Sequence, residues 1–390
     1  MRVVILGGGF AGLTAATALE DLAAERRAQV MLIEASARFQ MGLAAQWVFA
    51  GRRPADEGSR PYSALRARHV RVVGEEALHI DLAKRTVKTA SAAHYYDRLI
   101  LATGASYNAD AVPGLAQHAH NLCSVSDAAA MRAQLAARTG GTALILVARV
   151  PFKCPPAPYE YALLVDDALR QLGTRERWRI VLATPEPQPM PTAGKAGADF
   201  FNPLLEARKI ECHFGAVATG VELFGAAGTG GTGRRVAFEK GEPVAFDVLG
   251  AMFPHRAPQV VLDSGLCDAS GFVPAQLGTF VTKDPHVFAV GDVAGLKLPE
   301  GRPHPKAGAF AEIQALAVAD SIRQSVTGSG ASSYSGRATC FIDAGSAGAS
   351  AAQMHLLEEG GPKFMVDAPS AKGLDDKLVF ERDRLARWFR

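Results

Sequence analysis

VVILGGGFAGLTAATAL, residues 3–19, decides the fold. Val3 to Leu6 is a short apolar run of the kind buried inside a parallel sheet, Gly7 to Gly12 is a tight turn, and Leu13 to Leu22 has the Ala/Leu composition of a helix lying on that sheet. Gly7, Gly9 and Gly12 satisfy G-x-G-x-x-G. The first permits the turn, the second lets the backbone approach a pyrophosphate, and the third lets helix and strand pack closely. A second apolar strand, Val30 to Ile33, ends at Glu34, at the distance of about 20 residues where a carboxylate accepts ribose hydroxyls and repels a 2′-phosphate. The opening is therefore a βαβ unit suited to an adenine dinucleotide.

The rest of the chain must add further units. Its 390 residues exceed one ordinary core, and 48% hydrophobic with 21% charged residues excludes both a disordered chain and a membrane bundle. The net charge of +3, without a dense basic run interleaved with aromatics, argues against nucleic acid as a partner. No apolar run approaches the roughly 20 residues of a membrane-spanning helix. The chain begins with its first strand, which leaves no room for an export leader, so a cytoplasmic location is expected, with any membrane contact peripheral.

A second α/β unit starts at Ala143 to Val147, continues through a helix from about Tyr159 to Leu172, and adds a strand at Ile180 to Ala183. Its strand-to-helix turn reads ARVPFKCPPAPYE, with Arg149, Val150, Pro151 and Phe152 where a nucleotide turn needs glycines. Side chains there block backbone approach to a pyrophosphate, so a nicotinamide is not expected in this unit. The proline-rich PEPQPMPTAG and the glycine-rich Gly225 to Gly233 carry no recognisable chemistry; the latter reads as a hairpin tip, and Thr327 to Gly336 as a linker.

Five cysteines are scattered without a C-x-x-C pair, which removes zinc and iron–sulfur sites. Cys154 stands at a strand-to-helix turn beside Lys153, a setting expected to lower its pKa and make it reactive. Glu160, in the first turns of the same helix, is a candidate proton carrier. Cys212 and Cys267 read as structural.

Taken together, GGGFAG, YDRLILATGA, KCPPAPYEYALLVDD, FAVGDVA, PKAGAFAE, TCFIDAG and the terminal KLVFERDRLARWF resemble the sulfide:quinone oxidoreductases and the flavocytochrome c sulfide dehydrogenase flavoprotein subunits. The resemblance implies an α/β chain of two Rossmann-like, glutathione-reductase-like domains with a small C-terminal element. Residues 1–110 and 271–328 would form the FAD domain, 111–270 the second Rossmann-like domain, and 329–390 a redox-cysteine and quinone- or membrane-facing region. It implies FAD as cofactor, held by Gly7, Gly9, Gly12, Glu34, Thr103, Gly104, Gly291 and Asp292, with Lys306 near the flavin pyrimidine. Cys154 and Cys340 carry over as the redox pair, and Cys123 as a third cysteine of the quinone-reducing branch.

The implied reaction is attack of hydrosulfide on the linked pair, delivery of two electrons to FAD through one thiolate, release of polysulfide or sulfur, and reoxidation by a quinone. Phe380 and the basic, aromatic tail around it, including Lys377, Leu385, Trp388 and Phe389, would form the quinone slot or lie on a membrane; packing of that helix on its own domain is the alternative. FQMGLAAQW lacks the cysteine that tethers flavin in the flavocytochrome branch, and Asp127 stands where some relatives have histidine. Competing readings are a cytochrome-reducing sulfide dehydrogenase, an NADH:quinone reductase, and a flavin-binding persulfide sensor without turnover.

Overall fold

The computed structural model describes residues 1–225, 233–330 and 333–390. Most of the glycine-rich tip expected at Gly225 to Gly233, and two residues of the Thr327 to Gly336 linker, lie outside the described residues. The Arg2–Leu6 strand lies at the centre of a parallel sheet ordered Val287–Ala289, Arg98–Leu101, Arg2–Leu6, Gln29–Ile33, Arg71–Val73. Val3, Ile5, Leu32, Leu99 and Ile100 are fully buried. Strands covered on both faces carry continuous apolar runs rather than alternating ones, which is why this segment was readable. A three-stranded antiparallel meander, His79–Asp81, Thr86–Lys88 and Ala93–Tyr95, sits between the Arg71–Val73 and Arg98–Leu101 strands.

The same plan recurs. A second parallel sheet runs His120–Asn121, Val248–Met252, Gly141–Val147, Trp178–Thr184, Glu211–Phe214, with its own meander of Ala218–Phe224, Gly233–Phe238 and Val244–Phe246. Ser106–Tyr107 pairs antiparallel with His255–Arg256 where the chain leaves the first unit and returns to it. The helix expected from Leu13 to Leu22 is instead Phe10–Ala18 followed, after Leu19, by Glu20–Ala24. Its face packs on the long Gly308–Thr327 helix, where a Cβ on Gly308 would lie 2.9 Å from the Phe10 ring.

The C-terminal element is a meander of Arg337–Asp343, Ala349–His355 and Lys363–Val366, covered by the helix Ala371–Trp388. Ser370 caps that helix by accepting from the Gly373 N–H at 3.1 Å, and a Cβ on Gly373 would lie 1.8 Å from the Ala349 carbonyl oxygen, so helix and strand touch through backbone. Trp388 is fully buried, edge-on to Phe10 at 5.3 Å and to Phe39 at 5.5 Å. Leu385, Trp388 and Phe389 therefore pack into the first domain rather than offering themselves outward. Lys377, expected among the surface cations of the tail, is also fully buried: its ammonium donates to Gln46 Oε1 at 2.9 Å and Asp343 Oδ2 at 3.3 Å, which offsets its desolvation. Leu378 and Val379 stay exposed. Among the described residues no helix is long and apolar enough to cross a membrane.

Lys377→Met would leave the Asp343 and Glu160 carboxylates buried without that cation. The expected loss in urea unfolding of the holoprotein is about 3–5 kcal/mol; a change under about 1 kcal/mol would show that the cluster is relieved by solvent.

Candidate functional site

One cleft of about 630 Å³ is lined from all three parts of the chain. At one end the glycine turn does the work of a cradle. Gly7 has φ +101°, and a Cβ there would lie 2.5 Å from the Ala102 carbonyl oxygen; one on Gly12 would lie 1.8 Å from Gly7 O. Around Gly9 nothing lies within 4 Å of that position, so its backbone faces open space. Glu34 accepts from the Gly8 N–H at 2.6 Å and the Ser36 N–H at 2.8 Å, fixing its carboxylate at the cleft wall with lone pairs to spare. Thr103 and Gly104 line the floor, Gly104 at φ +66°.

Opposite them, Gly291 adopts φ +72° and donates its N–H to Gln314 Oε1 at 2.7 Å, while Asp292 lines the cleft with no side-chain partner among the described residues. This set fits a flavin dinucleotide: a backbone approach for the pyrophosphate, an acid for a ribose, and a free carboxylate for a polyol. Lys306 lines the same cleft, but its ammonium donates to the Asp292 and Ala294 carbonyls, both at 2.8 Å, over the Phe272 ring. It ties down the Gly291–Ala294 turn from its place in the cleft wall. Burial pushes its pKa down to about 8.

Cys123, Cys154 and Cys340 all line the cleft, whereas Cys212 and Cys267 lie elsewhere, their thiols against the Ile210 and Val261 carbonyls. Cys154 holds a left-handed backbone, φ +59°, rare for a non-glycine residue and favoured here because its N–H donates to Lys306 O at 2.8 Å and its carbonyl accepts from Ala157 N. Cys340 comes from the Arg337–Asp343 strand. Lowering of the Cys154 pKa does not occur. Burial, then Glu160 and the neighbouring thiols, push it well above the usual thiol range, because Lys153 turns toward Tyr107 and Cys123 instead. Burial and Glu160 raise the Cys340 thiol to about 12.

Glu160 does not face the cleft. It is 1% exposed behind the two cysteines, accepting from Gln46 Nε2 and from the Asp343 N–H, both at 2.6 Å, with the Lys377 ammonium at 3.8 Å; burial raises its pKa. Ser124 caps the Val125–Ala136 helix by accepting from the Asp127 N–H at 3.3 Å, and the Asp127 carboxylate in turn accepts from the Asn121 N–H at 2.9 Å, ahead of the helix. Phe380 lines the far end of the cleft, edge-on to Phe341 at 5.6 Å and under the Arg384 guanidinium, which Glu312 holds. Met190, Ile342, Met354 and Phe364 complete this apolar arm. Met190 corrects the reading of PEPQPMPTAG as chemically silent; Phe380 and the neighbours of Cys340 were the signals for this arm in the sequence.

In the second unit the side chains that stand at the nucleotide position are engaged by the protein itself. Arg149 donates to the Ala148 and Ala218 carbonyls at 2.7 and 2.6 Å. At the end of the Trp178–Thr184 strand, where a ribose-binding acid would stand, buried Glu186 accepts from the Tyr159 hydroxyl at 2.5 Å.

Comparison with known proteins agrees with this geometry. Residues 1–147 match the family model described as pyridine nucleotide-disulphide oxidoreductase, and residues 128–194 that described as sulfide dehydrogenase (flavocytochrome c) flavoprotein chain, central. The chain is 28% identical over 304 residues to the ferredoxin–NAD(+) reductase component of the biphenyl dioxygenase system of Paraburkholderia xenovorans, covering 77% of this chain and 69% of that protein. It is 24% identical over 315 residues to the mitochondrial sulfide:quinone oxidoreductase of Dictyostelium discoideum, covering 76% of this chain and 66% of that protein. The sulfide:quinone oxidoreductase structure from Aquifex aeolicus superposes with a TM-score of 0.82 at 22% identity, over 98% of this chain and 90% of that one. The α/β, two-Rossmann architecture and FAD as the cofactor follow, and the resemblance to the sulfide-oxidising flavoproteins holds.

Burial raises the Glu186 carboxyl to about 7, above its unfolded value of about 4.3. The folded state therefore holds a proton that the unfolded chain has lost, and this contribution to stability disappears as pH rises through 7. Between pH 5 and 8 the wild type should lose about 2–3 kcal/mol more than Glu186→Gln, measured by denaturant unfolding at each pH. Parallel pH profiles would show that the carboxyl is solvated.

Proposed function

We propose that this flavoprotein oxidoreductase oxidises sulfide through Cys154 and Cys340 and passes the electrons to a quinone. The observation that carries the reading is the arrival of these two thiols, from different units of the fold, in the cleft that holds the dinucleotide cradle. In the oxidised, linked pair, hydrosulfide attacks one sulfur. Its new S–S bond forms as the Cys154–Cys340 bond breaks, giving a persulfide on one residue and a thiolate on the other, so one anion enters and one remains. Bound FAD supplies the two-electron acceptor that lets the pair close again and the donor that reduces the quinone.

The protein's own part is positional and protonic. The left-handed turn at Cys154 and the strand at Cys340 hold the sulfurs at the cleft wall. The raised thiol pKa values mean that the thiolate left by each attack draws a proton, and Glu160, buried beside both, is the nearby acid–base group. The apolar arm around Phe341 and Phe380 suits a quinone ring. Exposed Leu378 and Val379 beside Arg382 support a peripheral seat on the inner face of the cytoplasmic membrane, where such quinones reside.

A nicotinamide donor is the competing reading, favoured by the ferredoxin–NAD(+) reductase relative and opposed by the side chains engaged at the second nucleotide position. Under anaerobic conditions, sulfide should bleach the oxidised flavin near about 450 nm and NADH should not. The reverse outcome overturns the proposal. Cys340→Ser should keep FAD and its yellow colour but slow sulfide-driven bleaching at least about a hundredfold; an unchanged rate removes Cys340 from the reaction.

A further inference from the structure

Lys153 is a cation of the cleft that no carboxylate claims among the described residues. Among the described residues no Asp or Glu oxygen lies within salt-bridge distance of it, although it lines the cleft and is only partly exposed. Its ammonium lies 4.8 Å from the centre of the Tyr107 ring and faces the Cys123 thiol, with the Asp292 carboxylate farther off. The Tyr107 hydroxyl is oriented by Lys153 and Asn121. Behind the phenol, 5.2 Å between ring centres, stands His255, 8% exposed, and among the described residues neither of its ring nitrogens has a hydrogen-bond partner. A half-buried ammonium without a counter-ion, next to a buried imidazole without partners, is the pattern of a site that awaits an anion able to accept or exchange hydrogen bonds.

We propose that Lys153, backed by Tyr107 and His255, captures the hydrosulfide anion beside Cys123 before it reaches Cys154. This rests on the sulfide-oxidising reading above and adds a residue to it. Capture is binding only; no bond forms or breaks at Lys153. Burial and the two nearby lysines press His255 to about 3, so the imidazole stays neutral and Lys153 supplies the charge. Lys153, Cys123 and Cys154 line one cleft, so a captured anion reaches Cys154 without leaving it, and the positive charge favours an anion over a neutral thiol.

Two measurements on the holoprotein separate this proposal from the function it rests on. In the first, Cys123 is alkylated with anionic iodoacetate or neutral iodoacetamide and its peptide followed by mass spectrometry. Relative to free cysteine, the wild type should favour iodoacetate by about 3–10-fold, Lys153→Arg should keep that preference, and Lys153→Met should lose it. Equal preference in wild type and Lys153→Met, or no labelling of Cys123 by either reagent, overturns the anion site whatever the enzyme's substrate. In the second, sodium sulfide is titrated against the rate of flavin bleaching. Lys153→Met should raise the half-saturating sulfide concentration about tenfold with the limiting rate within about threefold of wild type, and Lys153→Arg should restore it. A fall in limiting rate with unchanged half-saturation overturns capture. If sulfide bleaches no protein at all, the sulfide-oxidising function fails while the alkylation preference still decides the anion site.

Discussion

Three stretches of the chain, each more than 100 residues from the next, meet at one buried ammonium. Lys377, from the last helix, donates to Gln46 of the first domain and Asp343 of the C-terminal strand, and it lies 3.8 Å from Glu160 of the second unit. Arg52 adds a second cation to Asp343 at 2.6 Å, and the Asp343 backbone N–H donates to Glu160. A buried charge of either sign alone would cost several kcal/mol; together they neutralise one another only if all three parts are docked. The cluster therefore sets the relative position of the elements that bring Cys154 and Cys340 to one wall. It acts on the chemistry only through that placement and through the field it lays behind the sulfurs.

That field has two signs. Glu160 raises both thiol pKa values beyond what burial does, while Lys377 partly opposes it at Cys154. A reduced pair in this setting keeps its protons, which suits a site that waits closed and accepts an already ionised nucleophile from outside. Lys306 performs the matching task on the other wall. Its carbonyl holds the Cys154 N–H and its ammonium holds the Asp292 turn, so the sulfur and flavin ends share one residue as a strut.

The parts legible in the sequence are those encoded by neighbours in the chain. Gly7, Gly9 and Gly12 need only their own turn to declare a dinucleotide cradle, and the missing glycines at Arg149 to Phe152 declare its absence in the second unit just as locally. Continuous apolar runs gave the parallel strands because both sheet faces are covered. What stayed hidden depends on partners far away. Lys377 reads as one more basic residue of an amphipathic tail until Asp343 and Glu160 close around it, and Trp388 reads as facing either a membrane or its own domain until Phe10 and Phe39 meet it. The effect of Lys153 on Cys154 was misjudged because adjacency in sequence does not fix which way a long side chain turns. Met190 lay in a proline-rich segment whose fold no local pattern describes.

The engagement of side chains at the second nucleotide position has a consequence for how this scaffold changes over generations. Arg149 serves the Ala148, Ala218 and Ala111 carbonyls, and Tyr159 serves Glu186. Replacing Arg149 by glycine would strip donors from those carbonyls without creating a pyrophosphate turn, since Phe152 and Tyr159 would still stand in place. Each single step toward a nicotinamide-binding turn thus weakens the fold before it gains a ligand, and only several simultaneous changes cross the gap. The side chains that take the place of the glycines thus act as a ratchet, holding the unit to its present use.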